Sequence, residues 1–233
     1  MTRSPLREFL GARFRPGTPL GLALTLLVGV LVVLVTLIGT VVDDVVENDQ
    51  LVGLDSPIET TVLDWRSSGL TVLMRSITQL GSAFVVVPVL LVAGFLAWRA
   101  TGSWRSMVFL GATVGGASAT STVIKILVAR PRPTSGALVH ALGYAFPSGH
   151  STAGAATWFS LAVLGSSFTR STARRVLMTG VAVVLVAAIG LSRVYLGVHA
   201  PTDVLGGWAL GAAWVAGVAV FGRLRPAPPR PVR

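Results

Sequence analysis

The chain contains no cysteine. Disulfides, cysteine-ligated zinc and cysteine nucleophiles are therefore excluded. Charge is scarce as well: Asp, Glu, Lys and Arg make up 12% of the 233 residues, against 52% hydrophobic. Soluble domains carry about 25% charged residues, so this balance points to a membrane protein. Acids are the rarest charged group, nine against nineteen bases, and the net charge is +10. That excess does not mark a nucleic-acid partner. The bases flank apolar runs and form no stripe with interleaved aromatics.

What is present is a series of long apolar runs. A hydrocarbon core of about 30 Å needs about 20 apolar residues in a helix. Leu20 to Val42 carries no charge and is too long for a signal-peptide core, so it is expected to stay as an anchor. Further runs lie at 83–98, 107–124, 151–168, 176–192 and 204–221. The expected fold is all-α: a polytopic membrane helical bundle with six transmembrane helices.

Orientation follows from the arginines in short loops. With a cytoplasmic N-terminus, one side collects Arg3, Arg7, Arg13 and Arg15, then Arg99 and Arg105, then Arg170, Arg174 and Arg175, then Arg223, Arg225, Arg230 and Arg233. The other side collects Asp43, Asp44, Glu47, Asp49, Asp55, Glu59 and Asp64. Both termini are therefore expected in the cytoplasm. Residues 1–222 form one membrane domain, and the basic, proline-rich tail 223–233 is expected to be disordered.

The segment 43–82 is then the largest outer loop. Its "SPIE" (56–59) predicts a helix start, with Ser56 as cap, Pro57 in the first turn and Glu59 closing a capping box. Ile58, Val62, Leu63, Leu70, Leu73 and Ile77 predict short amphipathic helices at the membrane surface. Packing onto the bundle is favoured for them over a role in substrate entry. Within the spans, Gly111 and Gly115, and Gly207 and Gly211, sit four apart and predict close helix approach.

Polar residues collect in three clusters: "KILVARPRP" (125–133), "PSGHS" (147–151) and "SRVYLGVHAPTD" (192–203). Spans three and five run outward, and spans four and six start outside. All three clusters therefore fall on one outer face. Ionisable groups at membrane depth are expensive and mark function.

Lys125, Arg132 and Arg193 bring three positive charges against one nearby acid, Asp203. That is a site for a multiply charged anion, and phosphate suits the planar fork of arginine. Ser148 offers a hydroxyl, and Gly149 opens a helix whose first N–H groups can meet phosphate. His199 lies four residues before Asp203, and Pro201 predicts a helix start between them. A carboxylate on one ring nitrogen leaves the other free as a nucleophile. His150, on another helix, is placed to protonate a leaving oxygen. This is a hydrolytic set that needs no metal or cofactor. His140, the third histidine, has no such company and is expected at the surface.

These residues resemble the tripartite signature of the type 2 phosphatidic acid phosphatases, a membrane branch of the vanadium haloperoxidase superfamily. The pattern K-x6-R-P fits Lys125 to Arg132-Pro133. P-S-G-H fits Pro147 to His150. S-R-x5-H-x3-D fits Ser192-Arg193, His199 and Asp203. Arg130 falls outside the first spacing and is left as a supporting charge. The resemblance implies that Lys125, Arg132 and Arg193 hold the phosphate with Ser148 and Gly149. It implies that His199 attacks phosphorus and forms a phosphohistidine, that Asp203 orients it, and that His150 protonates the leaving group. The implied substrate is a lipid phosphate or pyrophosphate at a bacterial plasma membrane, with the site facing outward. Undecaprenyl pyrophosphate, phosphatidic acid and phosphatidylglycerol phosphate are the candidates.

Two other functions share this pocket. A haloperoxidase would use the same anion site, but six spans argue against it. A non-catalytic lipid-phosphate binding or transport protein would not require His150, His199 and Asp203 together.

Overall fold

The computed structural model describes residues 19–133 and 136–224, with no strand among them. The chain runs through α1 (Pro19–Glu47), three short helices α2 (Gln50–Gly53), α3 (Asp55–Asp64) and α4 (Ser68–Gln79), then α5 (Ala83–Thr101) and α6 (Arg105–Val128). A long loop leads to α7 (Gly149–Ser167), α8 (Thr172–Tyr195) and α9 (Pro201–Leu224). The tail expected to be disordered lies almost wholly outside the described residues, as do the first four arginines.

Five helices are long and apolar enough to cross a membrane: α1, α5, α6, α8 and α9. Their outward faces are lined with large exposed side chains such as Phe84, Leu91, Leu127 and Val184. Such an apolar girdle has no place in water. The protein is a multi-pass membrane protein.

The helix α7 does not meet the same measure, and its position explains why. It packs against α9, α8, α6 and α5. Ser151, Thr152, Gly154, Ala155, Ala156, Thr157 and Ser160 are all buried. A helix surrounded by protein has no need of lipid-facing bulk, and small side chains let its neighbours close in. Two of its hydroxyls are satisfied locally, Thr152 Oγ1 donating to Ser148 O at 3.0 Å and Ser160 Oγ to Thr157 O at 2.9 Å, while Thr157 Oγ1 has no partner among the described residues.

The glycine pairs divide. A Cβ on Gly207 would stand 2.8 Å from Ser148 O, and one on Gly211 2.6 Å from Thr152 O, so α9 lies directly on the α7 backbone there. Gly111 and Gly115 have open space around them instead. The close approach on α6 is at Gly116, where a Cβ would meet the Trp214 ring at 2.3 Å. The four-residue spacing on α6 thus marks the wrong face, one residue away from the contact.

The short helices also differ from expectation. Helix α3 begins at Asp55, Leu54 precedes it in a helical conformation, and no side chain caps it. Ser56 is therefore not the cap: with α2 running almost directly into α3, no extended residue is left to present one. Val62, Leu70 and Met74 pack on Tyr195, Leu196 and Val198 at the end of α8. Arg66 fastens the same corner, donating to Tyr195 O from Nε at 3.1 Å and from Nη2 at 2.8 Å.

Candidate active site

The three polar clusters converge where α6 ends, α7 begins and α8 passes into α9. Each is positioned by ordinary chain chemistry. Helix α6 stops because Ala129 takes a left-handed conformation and Pro131 follows Arg130. The prolines keep 130–133 extended, and residues two apart on an extended chain project to one side. Arg130 and Arg132 consequently both reach the His199–Asp203 pair. Helix α9 starts at Pro201, and Asp203 reaches back to the N–H of Ala200 at 3.0 Å, a capping contact that fixes its carboxylate.

His199 is 2% exposed and Asp203 fully buried. Nδ1 of His199 lies 3.3 Å from Asp203 Oδ2, and its Nε2 lies 3.1 Å from Arg132 Nη1. An arginine only donates. Nε2 must therefore carry the lone pair and Nδ1 the proton, which goes to Asp203. Burial pushes the His199 imidazole down to about 4, and its hydrogen bond to Asp203 offsets this only in part. The ring is neutral at pH 7, with its free lone pair facing Arg132.

Arg132, Lys125 and Arg193 are cations of this end of the bundle. Arg132 also donates to Val198 O, Gly143 O and Leu142 O. Lys125 Nζ donates to Tyr144 O at 2.9 Å and Ala145 O at 3.1 Å, and lies within electrostatic range of Arg132, Arg193 and Asp203. Arg193 is 4% exposed; its Nη1 donates to Thr78 Oγ1 at 2.8 Å, and its Nε has no partner among the described residues. A buried donor without an acceptor is costly, and an anion would complete it. Ser148 is fully buried, and its Oγ accepts from Ser151 Oγ at 3.0 Å. Gly149 opens α7, with Lys125 beside it. His150 is the next residue, half-buried and within range of His199, Arg193, Arg132 and Lys125. All eight residues singled out in the sequence thus gather at one end of the bundle. His140 is exposed in the loop.

Asp55, Thr202 and Thr78 escaped the sequence reading, and Arg130, left there as a supporting charge, is paired with two acids. Arg130 donates from Nη1 to Asp203 Oδ1 and to Thr202 Oγ1, both at 2.7 Å, and from Nη2 to Asp55 Oδ2 at 2.8 Å. Burial works against the charge on Arg130, but Asp203 and Asp55 outweigh it and its pKa is raised. Asp55 is buried and Thr202 links it to α9. Thr78 positions Arg193. The doubled "RPRP" was the one visible signal, since it puts two arginines on one side of an extended strand.

Fold and site together define an integral membrane phosphatase. The chain belongs to the PAP2 superfamily, whose family model matches residues 106–226. Phosphatidylglycerophosphatase B of Bacillus subtilis (strain 168) is 33% identical over 160 residues, 67% of this chain and 77% of that protein. The crystal structure of a transmembrane PAP2-type phosphatidylglycerolphosphate phosphatase from Bacillus subtilis superposes with a TM-score of 0.74 at 27% identity, covering 84% of this chain and 95% of that one. Aquifex aeolicus LpxE shares the fold, with a TM-score of 0.55 at 21% identity over 72% of this chain and 95% of its own.

Proposed function

We propose that the protein hydrolyses a lipid phosphate through a phosphohistidine on His199, without a metal. Phosphatidylglycerol phosphate is the first substrate to test, because the relatives carry that activity in their names. Phosphatidic acid and undecaprenyl pyrophosphate complete the panel. The observation that carries the reading is the state of His199: Nδ1 on Asp203, and an unprotonated Nε2 held by Arg132, with Arg193 in electrostatic range of the ring and Lys125 in range of both arginines.

In this mechanism, phosphate oxygens take Arg132 away from Nε2 and fill the open Nε of Arg193. Ser148, Gly149 and Lys125 hold the remaining oxygens. Nε2 forms a bond to phosphorus while the bond to the lipid oxygen breaks, and His150 gives that oxygen its proton. Asp203 stabilises the positive ring. Water then attacks phosphorus as the P–Nε2 bond breaks and its electron pair returns to the imidazole, His150 recovers a proton from the water, and inorganic phosphate leaves.

The same reading places six spans in the bilayer, α7 among them, both termini in the cytoplasm and the site outside. Its support is the separation of charge. The acids of 43–64 lie towards the site end of the bundle, and Arg99, Arg105, Arg170, Arg174 and Arg175 sit at connections that lead to the other end.

The test is phosphate release from the three lipids in EDTA by the wild type and by His199→Ala. Turnover that survives EDTA and is lost in the variant is expected. Full activity in His199→Ala, or none without added Mg²⁺, would refute the mechanism.

A further inference from the structure

Asp55 is the buried acid of the segment joining α1 to α5. Its Oδ1 accepts from the Thr202 N–H at 2.9 Å. Its Oδ2 accepts from the Thr202 hydroxyl at 2.6 Å and from Arg130 Nη2 at 2.8 Å. Arg130 continues to Asp203, and Asp203 to His199, through side chains that are 8, 16, 0 and 2% exposed in that order. A continuous polar chain thus runs from α3 to the imidazole.

We propose that Asp55 is a positioning residue for the hydrolysis: by holding one arm of Arg130, it leaves Asp203 an oxygen free for His199. The reason lies in the shape of the groups. A guanidinium facing a carboxylate prefers to engage both oxygens in parallel. Were Arg130 to do so, it would compete for Asp203 Oδ2, the acceptor of the His199 proton. Asp55 draws Nη2 to its own side, and Asp203 is met by Nη1 alone, through Oδ1. Charge points the same way. Asp55 and Asp203 flank a single cation, so the triad keeps one net negative charge behind a ring that becomes positive during the reaction. Without Asp55, Arg130 would neutralise Asp203.

The inference rests on His199 acting as the nucleophile, and it predicts opposite electrostatic effects for two neighbours. Removing the charge of Asp55 lowers the pKa of His199, and removing that of Arg130 raises it. The other charged groups around the ring stay in place in both variants: Arg132 from the loop, Arg193 from α8, His150 from α7, Lys125 from α6, and Glu59 beside Asp55 on α3.

The experiment measures phosphate release from dioctanoyl phosphatidylglycerol phosphate by the full chain in detergent, across pH, with thermal unfolding alongside. Asp55→Asn keeps an oxygen for the Thr202 N–H, so the start of α9 survives. The expected result is a kcat lower by about 10- to 100-fold with KM nearly unchanged, as for other residues that orient a catalytic histidine. The acid limb of kcat moves to lower pH in Asp55→Asn and to higher pH in Arg130→Gln. The double variant is no worse than the worse single one, because the two act as a unit, and Asp55→Glu recovers part of the rate. An Asp55→Asn enzyme within about twofold of wild-type kcat overturns the proposal, on the same scale of comparison. So does a rate loss that follows a fallen unfolding midpoint while the acid limb stays fixed. A wild type that releases no phosphate from this lipid, from phosphatidic acid or from undecaprenyl pyrophosphate instead refutes the phosphatase mechanism itself, and this inference with it.

Discussion

Arg132 donates to Nε2 of His199 across 3.1 Å, so a guanidinium covers the nitrogen that the proposed mechanism needs as its nucleophile. Because the guanidinium has no acceptor, the contact also settles the tautomer: the proton sits on Nδ1, facing Asp203 at 3.3 Å. In the proposed mechanism a phosphate offers Arg132 a stronger partner than an imidazole and exposes the lone pair as it binds.

The tautomer can be tested at Asp203. An asparagine there can present its amide N–H₂ to Nδ1 and turn the ring over to the Nε2–H form, which cannot attack. We expect Asp203→Asn to lower kcat by about 10³- to 10⁴-fold, roughly 4–5 kcal/mol of transition-state stabilisation, with KM little changed. Steady-state phosphate release measures both parameters. A loss below tenfold would show that Asp203 does not set the tautomer.

The charge state of His199 is a separate matter. Burial lowers its pKa from 6.5 to about 4. For a base this means that the neutral form persists well below the usual range as pH falls. Selective ¹⁵N-histidine labelling reports it directly, since the chain has three histidines and His199→Asn identifies one signal. At pH 5.5 the His199 ring is expected neutral, protonated on Nδ1. A fully charged ring at that pH would contradict the site geometry. The linked stability has a defined sign: it is complete above about pH 6.5 and is lost as pH falls towards 4, where only the unfolded chain takes up the proton.

Arg193 is expected to matter for anion capture more than its exposure suggests. Its Nε is buried without a partner among the described residues, and Thr78 holds Nη1. Lysine cannot reproduce that fork. Arg193→Lys should weaken inhibition by orthovanadate by at least tenfold, and Thr78→Val by less, because it frees the side chain without removing its charge. These sizes follow from about 1.5–3 kcal/mol for a hydrogen bond to a charged group. Unchanged vanadate inhibition in Arg193→Lys would place the anion elsewhere.

The sequence made much of this site legible, for a physical reason. Charged residues are so unfavourable within apolar runs that Lys125, Arg132, Arg193, His199 and Asp203 stood out, and alternation of the helices put them at one end. Asp55 was hidden because it lies in a segment already rich in acids, where one more carries no signal. Its burial depends on a contact 147 residues away with Thr202. The limits of α3 and the packing face of α6 were hidden likewise. The first is decided by the adjacent turn out of α2, where Leu54 is already helical, and the second by a neighbour distant in sequence, the ring of Trp214 against Gly116.

Packing yields a contrast between glycines of identical spacing. At Gly211 a methyl would press on Thr152 O at 2.6 Å and on Ala155 Cβ at 2.7 Å, both held by α7. At Gly111 it would meet nothing within 4 Å. Gly211→Ala should destabilise the protein by about 1–3 kcal/mol through overpacking, whereas Gly111→Ala should be neutral or slightly stabilising in its helix. Thermal unfolding in detergent separates them. Equal effects would mean that α9 does not rest on the α7 backbone.

Sidedness is open to a clean chemical test because the chain has no cysteine of its own. Leu142 is 84% exposed in the loop that carries the Arg132 contacts, whereas Ala145, three residues on, is buried and would not report. Arg170 is exposed at the connection between α7 and α8, which leads to the opposite end of the bundle. In intact cells, an impermeant maleimide should label Leu142→Cys and leave Arg170→Cys untouched until the membrane is broken. The reverse pattern would turn the bundle over and place the active site on the cytoplasmic face. Labelling of both in intact cells would mean that the two loops are not separated by a bilayer. The expected pattern follows from arginine alone: the loops on the Arg170 side hold the bases that resist translocation, and the bases near Leu142 are folded into the site, where Arg130 is paired with two acids.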